Sequence, residues 1–203
     1  MNLPYWNNPW AVHRPFFCAR NINDQNTDPF IFGDNFYYAI CKKTNLKNLN
    51  IGDIILFGSE FGTKEDIHFY LDTMFVVENV QSSILSNLYD VVYQESTLKR
   101  IGISNCTKGT LPIHVGKKFS NDGNIFSFFP AKIASNNSFG RPIIDVERLG
   151  LQKPGARTGA KSRELNDNES IEEIWKSIVN TILKQGYILG THAEALTILN
   201  QLP

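Results

Sequence analysis

The sequence predicts an α+β fold in which a small β-barrel carries peripheral helices and a C-terminal helical extension. Two observations lead to this prediction. Apolar runs at residues 53–57 and 67–77 follow a Gly-Asp turn signal and are separated by a loop, a pattern typical of barrel strands. Apolar residues between 171 and 183 instead recur at helical spacing. We therefore expect the barrel first in the chain and the helical extension after it.

Composition limits the classes of protein to which the chain belongs. Its 203 residues suffice for one domain with a helical annex, and its 20 basic side chains balance 20 acidic ones. Any anion-binding surface must therefore be local. Cys18, Cys41 and Cys106 lack the spacing of a zinc site and are an odd number for a disulfide framework. With no secretory signal and no apolar run of membrane-spanning length, we expect a cytoplasmic protein that does not enter a membrane.

The first 150 residues are predicted to form the barrel domain, including an irregular N-terminal arm at residues 1–14. Helical spacing occurs at residues 84–92, and residues 102–122 are expected to form a long loop. The strands are apolar runs bounded by turn-forming residues. They are predicted at residues 16–19, 30–32, 36–41, 53–57, 67–77, 125–129 and 142–146.

The longest predicted strand contains the first candidate functional residues. Strict alternation over residues 67–78 places an apolar set on the core face and a mixed set, which includes Tyr70 and Asp72, on the other face. A carboxylate in an otherwise apolar strand costs several kcal/mol unless it is paired or hydrated. Asp72 is therefore expected either to face solvent or to line a pocket beside Tyr70.

Residues 151–168 are predicted to form a flexible basic loop. Glycine, proline and polar residues dominate it, and its cations are Lys153, Arg157, Lys161 and Arg163. The spacing of its glycines and lysine differs from that of a P-loop, which argues against an NTPase. Two interpretations stay open, a solvated loop and a basic flap that contacts nucleic-acid or nucleotide phosphates.

The C-terminal residues 169–203 are predicted to form helices that pack on the barrel. Ser170 and Glu173 have the spacing of a capping box, and Gly186 is placed for a left-handed C-cap. A second capping pattern predicts a shorter helix at residues 195–199.

No metal site and no cofactor are predicted. The four histidines are scattered, and none has a second ligand at metal-binding spacing. The usual hydrolase motifs are also absent from the sequence. Several aromatic side chains stand next to polar residues at turns. A slot formed by such residues can hold a flat base by stacking and by hydrogen bonds to its edge.

The sequence Gly-Asp-Ile-Ile-Leu-Phe at residues 52–57, followed by a strand that contains Val-Val, resembles PUA-like domains, particularly the ASCH and EVE families. This resemblance implies a partly open barrel that binds RNA or modified bases. It nominates four pocket residues, Arg20, Asn21, Phe57 and Ser59. Phe16-Phe17-Cys18 stands where EVE domains have a Trp-rich opening to the first strand. A looser resemblance to nucleotide-modification-associated domains, through residues 69–77 and 126–132, implies a similar function.

Three hypotheses about function follow. The first is a module that binds a modified base or nucleotide in nucleic acid through an aromatic-lined barrel pocket, with phosphates at the basic loop. Its ligand contacts would be Arg20, Asn21, Phe57, Ser59, Tyr70 and Asp72. The second is an enzyme that processes a nucleotide or base, with Asp72 as the acid or base. The third is a protein-interaction domain that uses the C-terminal helices.

Overall fold

A computed structural model describes residues 10–11, 29–32, 34–39, 49–63, 66–83, 111–132, 141–151 and 162–193. Within these ranges, no helix is both long and apolar enough to cross a membrane. The helix is α1 (Ile171–Lys184). The strands are β1 (Trp10–Ala11), β2 (Phe30–Phe32), β3 (Asn35–Ala39), β4 (Ile54–Thr63), β5 (Asp66–Ser83), β6 (Leu111–Gly116), β7 (Phe129–Ala131), β8 (Ile143–Ile144), β9 (Ile188–Gly190) and β10 (His192–Ala193).

The main sheet is open. Its strands follow the order β2-β3-β6-β5-β4, and β8 pairs with β5 as well. Two small sheets accompany it, a parallel pair of β1 and β10 and an antiparallel pair of β7 and β9. Among the described residues, β2 and β4 stand at the two ends of the strand order and do not pair with each other. The predicted small barrel with peripheral helices is therefore wrong, and this part of the chain is mainly β with one helix.

The strand β5 is buried on both faces of the sheet. It runs for 18 residues, and its first part pairs with β4 and β8 whereas its last part pairs with β6. Residues 71–77 are all buried, so both faces of the strand are covered. A strand of a small barrel fills the interior with one face only. The single core face predicted for residues 67–78 is wrong because β5 supports a separate core on each side.

The first core lies between the sheet and α1. Leu71, Met74 and Val76 belong to it together with the buried face of the helix. The Trp175 ring packs edge-on against Phe126, with centroids 5.0 Å apart, and its Nε1 donates a hydrogen bond of 3.0 Å to the Phe126 carbonyl. The apolar stripe of α1 is thus covered by the sheet, which leaves this stripe without a role as a partner surface.

The helix α1 begins directly after Ser170 and ends two residues before Gly186, so its ends agree with the two predicted cap positions. Ser170 has an extended backbone at the N-cap, but its side chain makes no capping hydrogen bond, so the predicted capping box with Glu173 is not formed. Gly186 has φ +80°, which confirms the predicted left-handed position after the helix.

The second core lies on the other face of β5 and brings β3 against β4. The Tyr38 and Phe57 rings are 4.8 Å apart, and Phe57 also meets Phe75 at 6.1 Å. A Cβ atom on Gly116 would lie 2.6 Å from the Phe36 Cβ, so this close approach of β6 requires glycine. Phe57, nominated as a pocket residue, is instead a core residue with 4% of its surface exposed.

Predicted boundaries are wrong where pairing between distant strands decides the structure. β5 continues to Ser83, past the strand predicted at 67–77, because its last part pairs with β6. β4 continues to Thr63 across the predicted loop, because residues 58–63 pair with β5. β6 lies within residues 102–122, which were predicted to be a loop, and it pairs with β3 and β5. β7 begins at Phe129, where the strand predicted at 125–129 should end.

Other predicted elements are confirmed. β2 and β3 form the hairpin expected around the turn at residues 33–35, and β8 lies within the strand predicted at 142–146. The division of the chain at residues 151–168 stays a prediction. Three predicted elements lie outside the described residues, namely the strand at 16–19 and the helices at 84–92 and 195–199.

Candidate functional site

The candidate site begins at a β-bulge between β4 and β5. Phe57 pairs with Thr73, but the next residue of β4, Gly58, pairs with Leu71. Asp72 is therefore the extra residue of the bulge. Bulges often lie beside functional sites because the additional residue changes the direction of a side chain. A Cβ atom on Gly58 would overlap the Tyr70 carbonyl oxygen, so glycine is needed opposite the bulge.

Arg141 joins the two strands at the bulge. Its Nη1 donates a hydrogen bond of 2.5 Å to the Ser59 Oγ and lies 3.3 Å from both carboxylate oxygens of Asp72. Its Cζ stands 5.3 Å from the centre of the Tyr70 ring, within the range of a cation–π contact. We call Ser59, Tyr70, Asp72 and Arg141 the Arg141 site.

The strand β8 holds Arg141 in this place. The Leu71 amide donates a hydrogen bond of 3.0 Å to the Pro142 carbonyl, and Ile143 pairs with Tyr70. Gln185, directly after α1, bonds the Ile143 amide and carbonyl at 2.9 and 2.8 Å. The backbone on the C-terminal side of Arg141 is thus tied both to the sheet and to the helix end, so the guanidinium is presented from a fixed position.

Burial separates the roles within the Arg141 site. The Asp72 side chain is 1% exposed and that of Arg141 is 10% exposed, whereas Ser59 and Tyr70 are partly exposed. A buried carboxylate with an arginine partner fixes that arginine and offers a ligand almost no surface of its own. The accessible surface of the site therefore comes mainly from Tyr70 and Ser59, with a small part of Arg141 and with Asp72 behind them.

The structure brings three of the predicted site residues together and separates others. Ser59, Tyr70 and Asp72 meet at Arg141. This arginine was not among the predicted residues, because it lies 69 positions from Asp72 and the sequence around it contains no local signal. Arg163, predicted to contact phosphates, pairs with Glu169 at 2.7 Å. The remaining predicted residues lie outside the described ranges, namely Arg20, Asn21, Lys153, Arg157 and Lys161.

His114 is a second buried polar residue, at the pairing of β6 with β3 and β5. It is 1% exposed, and its Nδ1 has no hydrogen-bond partner within the described structure. Burial lowers the pKa of His114, against opposing effects of a backbone hydrogen bond at Tyr38 and of the Asp53 charge. The described residues contain no group of three or more His, Cys, Asp or Glu side chains that could hold a metal ion.

Comparison with known proteins gives no family assignment. No family model matches the chain, and no curated protein or solved structure is significantly similar to it. The resemblance to PUA-like domains therefore stays a prediction that rests on short sequence motifs.

Proposed function

We propose that this protein binds a nucleotide unit, free or within nucleic acid, at the exposed side of the Arg141 site. The observation that supports the proposal most directly is the placement of the Arg141 guanidinium between Asp72, Ser59 and the Tyr70 ring. No turn or loop motif of the sequence carries this proposal. It depends on the arrangement of one arginine and one aromatic ring.

The chemistry of these groups suits a nucleotide. A guanidinium is a planar set of donors that matches phosphate oxygens and base edges, and an aromatic ring supplies a surface on which a base stacks. The buried Asp72 carboxylate holds the guanidinium before any ligand arrives. Pre-organised donors lose less conformational entropy on binding, which favours affinity.

The same geometry disfavours Asp72 as a catalytic acid or base. A general base must come within hydrogen-bond reach of the proton that it removes. The Asp72 side chain has only 1% of its surface exposed, and both of its oxygens face Arg141. A substrate would have to displace Arg141 first, so binding is the better supported function.

Equilibrium binding tests the proposal. Suitable probes are the common nucleoside 5′-monophosphates and a short labelled single-stranded DNA, each in unmodified and base-methylated form. Replacing Tyr70 by Leu should weaken binding by about 1–3 kcal/mol, or about 5- to 150-fold, the usual value of one base stack. Preference for the methylated probes would indicate recognition of a modified base.

A matched pair of variants controls this measurement. Ser59→Ala removes a hydroxyl that contacts Arg141, whereas Thr63→Ala removes a hydroxyl at the exposed end of the same strand. Only the first should weaken binding. Absence of binding to every probe, or equal affinities for wild type, Tyr70→Leu and Ser59→Ala, would overturn the proposal. Mass spectrometry of the same mixtures would reveal any turnover, and turnover lost in Asp72→Asn would establish the enzyme hypothesis instead.

A further inference from the structure

A polar hollow of about 430 Å³ lies on the exposed face of α1. Six of its lining residues belong to the helix, and Arg148, in the turn after β8, borders it on one side. We call this surface the α1 hollow. Its lining consists of Arg148, Glu173, Lys176, Ser177, Asn180, Thr181 and Lys184.

The lining contains three cations and one carboxylate, and two of the cations pair with carboxylates beside the hollow. Lys176 pairs with Glu172 at 2.5 Å and Arg148 pairs with Asp145 at 3.1 Å. All four of these side chains are well exposed, so the pairs are weak and a phosphate can compete with either carboxylate. Lys184 has no ion-pair partner among the described residues, and its ammonium is available to a ligand.

The neutral part of the lining suits the same kind of ligand. Ser177 and Asn180 are exposed donors one helical turn apart, on the side of the hollow that leads to Lys184. Hydroxyl, amide and ammonium groups are the side chains that contact phosphate and sugar in nucleic-acid complexes. The hollow has no large apolar side chain, which leaves it without a platform for a base.

The α1 hollow and the Arg141 site are attached to the same short strand. Arg141 stands two residues before β8, and Arg148 follows its end by four residues. Gln185, the neighbour of Lys184, makes both of its side-chain hydrogen bonds to Ile143 of β8. The two surfaces are therefore joined through β8 and the end of α1.

We propose that the α1 hollow binds the sugar-phosphate backbone of the nucleic acid whose nucleotide occupies the Arg141 site. The inference rests on the proposed function for that second contact, and it identifies the ligand as a polymer. Lys184, Lys176 and Arg148 contact phosphates without reading sequence. Glu173 lies at the far end of the hollow, about 16 Å along the helix from Lys184, and opposes binding.

Charge-changing variants of opposite sign test this inference with a labelled single-stranded DNA and, in parallel, a nucleoside monophosphate. Lys184→Gln removes one phosphate contact. It should therefore weaken DNA binding about fivefold at about 0.1 M salt and reduce the slope of log K against log salt by about 0.7. Glu173→Gln should strengthen DNA binding. Lys118→Gln, which removes a cation from an exposed loop outside the hollow, serves as the control and should have little effect.

The monophosphate separates failure of this inference from failure of the proposed function. If Lys184→Gln and Glu173→Gln leave DNA affinity and salt slope unchanged, or if Lys118→Gln matches Lys184→Gln, the α1 hollow is not a backbone site. Monophosphate binding that still depends on Tyr70 would then leave the Arg141 site intact. If Lys184→Gln reduces the salt slope of DNA binding but Tyr70→Leu does not change the affinity, the result would support DNA binding at the α1 hollow. The same result would refute nucleotide binding at the Arg141 site.

Discussion

Removing the Arg141 side chain should destabilise the protein strongly. In Arg141→Met the apolar stem is retained, but the Asp72 carboxylate loses its cation while its side chain stays 1% exposed. An uncompensated buried charge of this kind costs about 3–5 kcal/mol of folding free energy. The Ser59 hydroxyl loses a charged donor in the same variant, so the upper part of this range is expected.

A double-mutant cycle shows whether this cost arises from the stranded carboxylate. Asp72→Asn keeps the size of the side chain but weakens its bond to Arg141, at a cost of about 1–3 kcal/mol. The double variant Arg141→Met with Asp72→Asn removes both charges of this pair. Its loss of stability should therefore be smaller than the sum of the single losses, because residues in direct contact are not additive.

Urea unfolding followed by tryptophan fluorescence and by circular dichroism measures these free energies. The four proteins are compared at the same concentration and in the same buffer at neutral pH. A loss below about 1 kcal/mol in Arg141→Met would place the pair in the class of solvent-screened surface ion pairs. Additive losses in the double variant would likewise refute the argument that Arg141 and Asp72 act as one buried unit.

Two further predictions concern the cores. Trp175→Ala should cost about 3–5 kcal/mol as an aromatic truncation, while Trp175→Phe should cost about 1 kcal/mol because it loses chiefly the hydrogen bond to the Phe126 carbonyl. Equal, small losses in urea unfolding would show that the helix is not anchored by this ring. Burial lowers the pKa of His114, so the unfolded chain takes up a proton first as the pH falls below about 6.5. Stability should therefore fall with decreasing pH below that value by up to about 1.4 kcal/mol per unit, and His114→Gln should remove this component; a pH profile unchanged by the substitution would contradict the assignment.

The elements predicted correctly are those whose signals are local. The helix α1 shows its apolar stripe within fourteen residues, and Gly186 marks its end through a backbone angle that glycine adopts without strain. The hairpin of β2 and β3 follows likewise from apolar runs on each side of a turn. The sequence around these elements contains the physical cause of each of them.

The errors occur where a distant strand decides the structure. β6 contains Pro112 and Gly116, both unfavourable in strands, and it forms because β3 and β5 pair with its two edges. Gly58 is similarly typical of the end of a strand, yet β4 continues past it because residues 58–63 pair with β5. Glycine is needed there because the Tyr70 carbonyl occupies the space of a side chain. Propensity is a weak preference that tertiary pairing overrides.

The sequence alone determined that this protein is rich in strands, has a C-terminal helix and contains a carboxylate, Asp72, in the middle of an apolar strand. Tertiary structure decided that the sheet stays open, that both faces of β5 are buried and that Asp72 occupies a bulge beside Arg141. Periodicity reports one buried face at a time, so it cannot show a second layer packed on the other face. A one-residue shift in pairing changes which side chains share a face, and that shift is set by contacts between residues far apart in the chain.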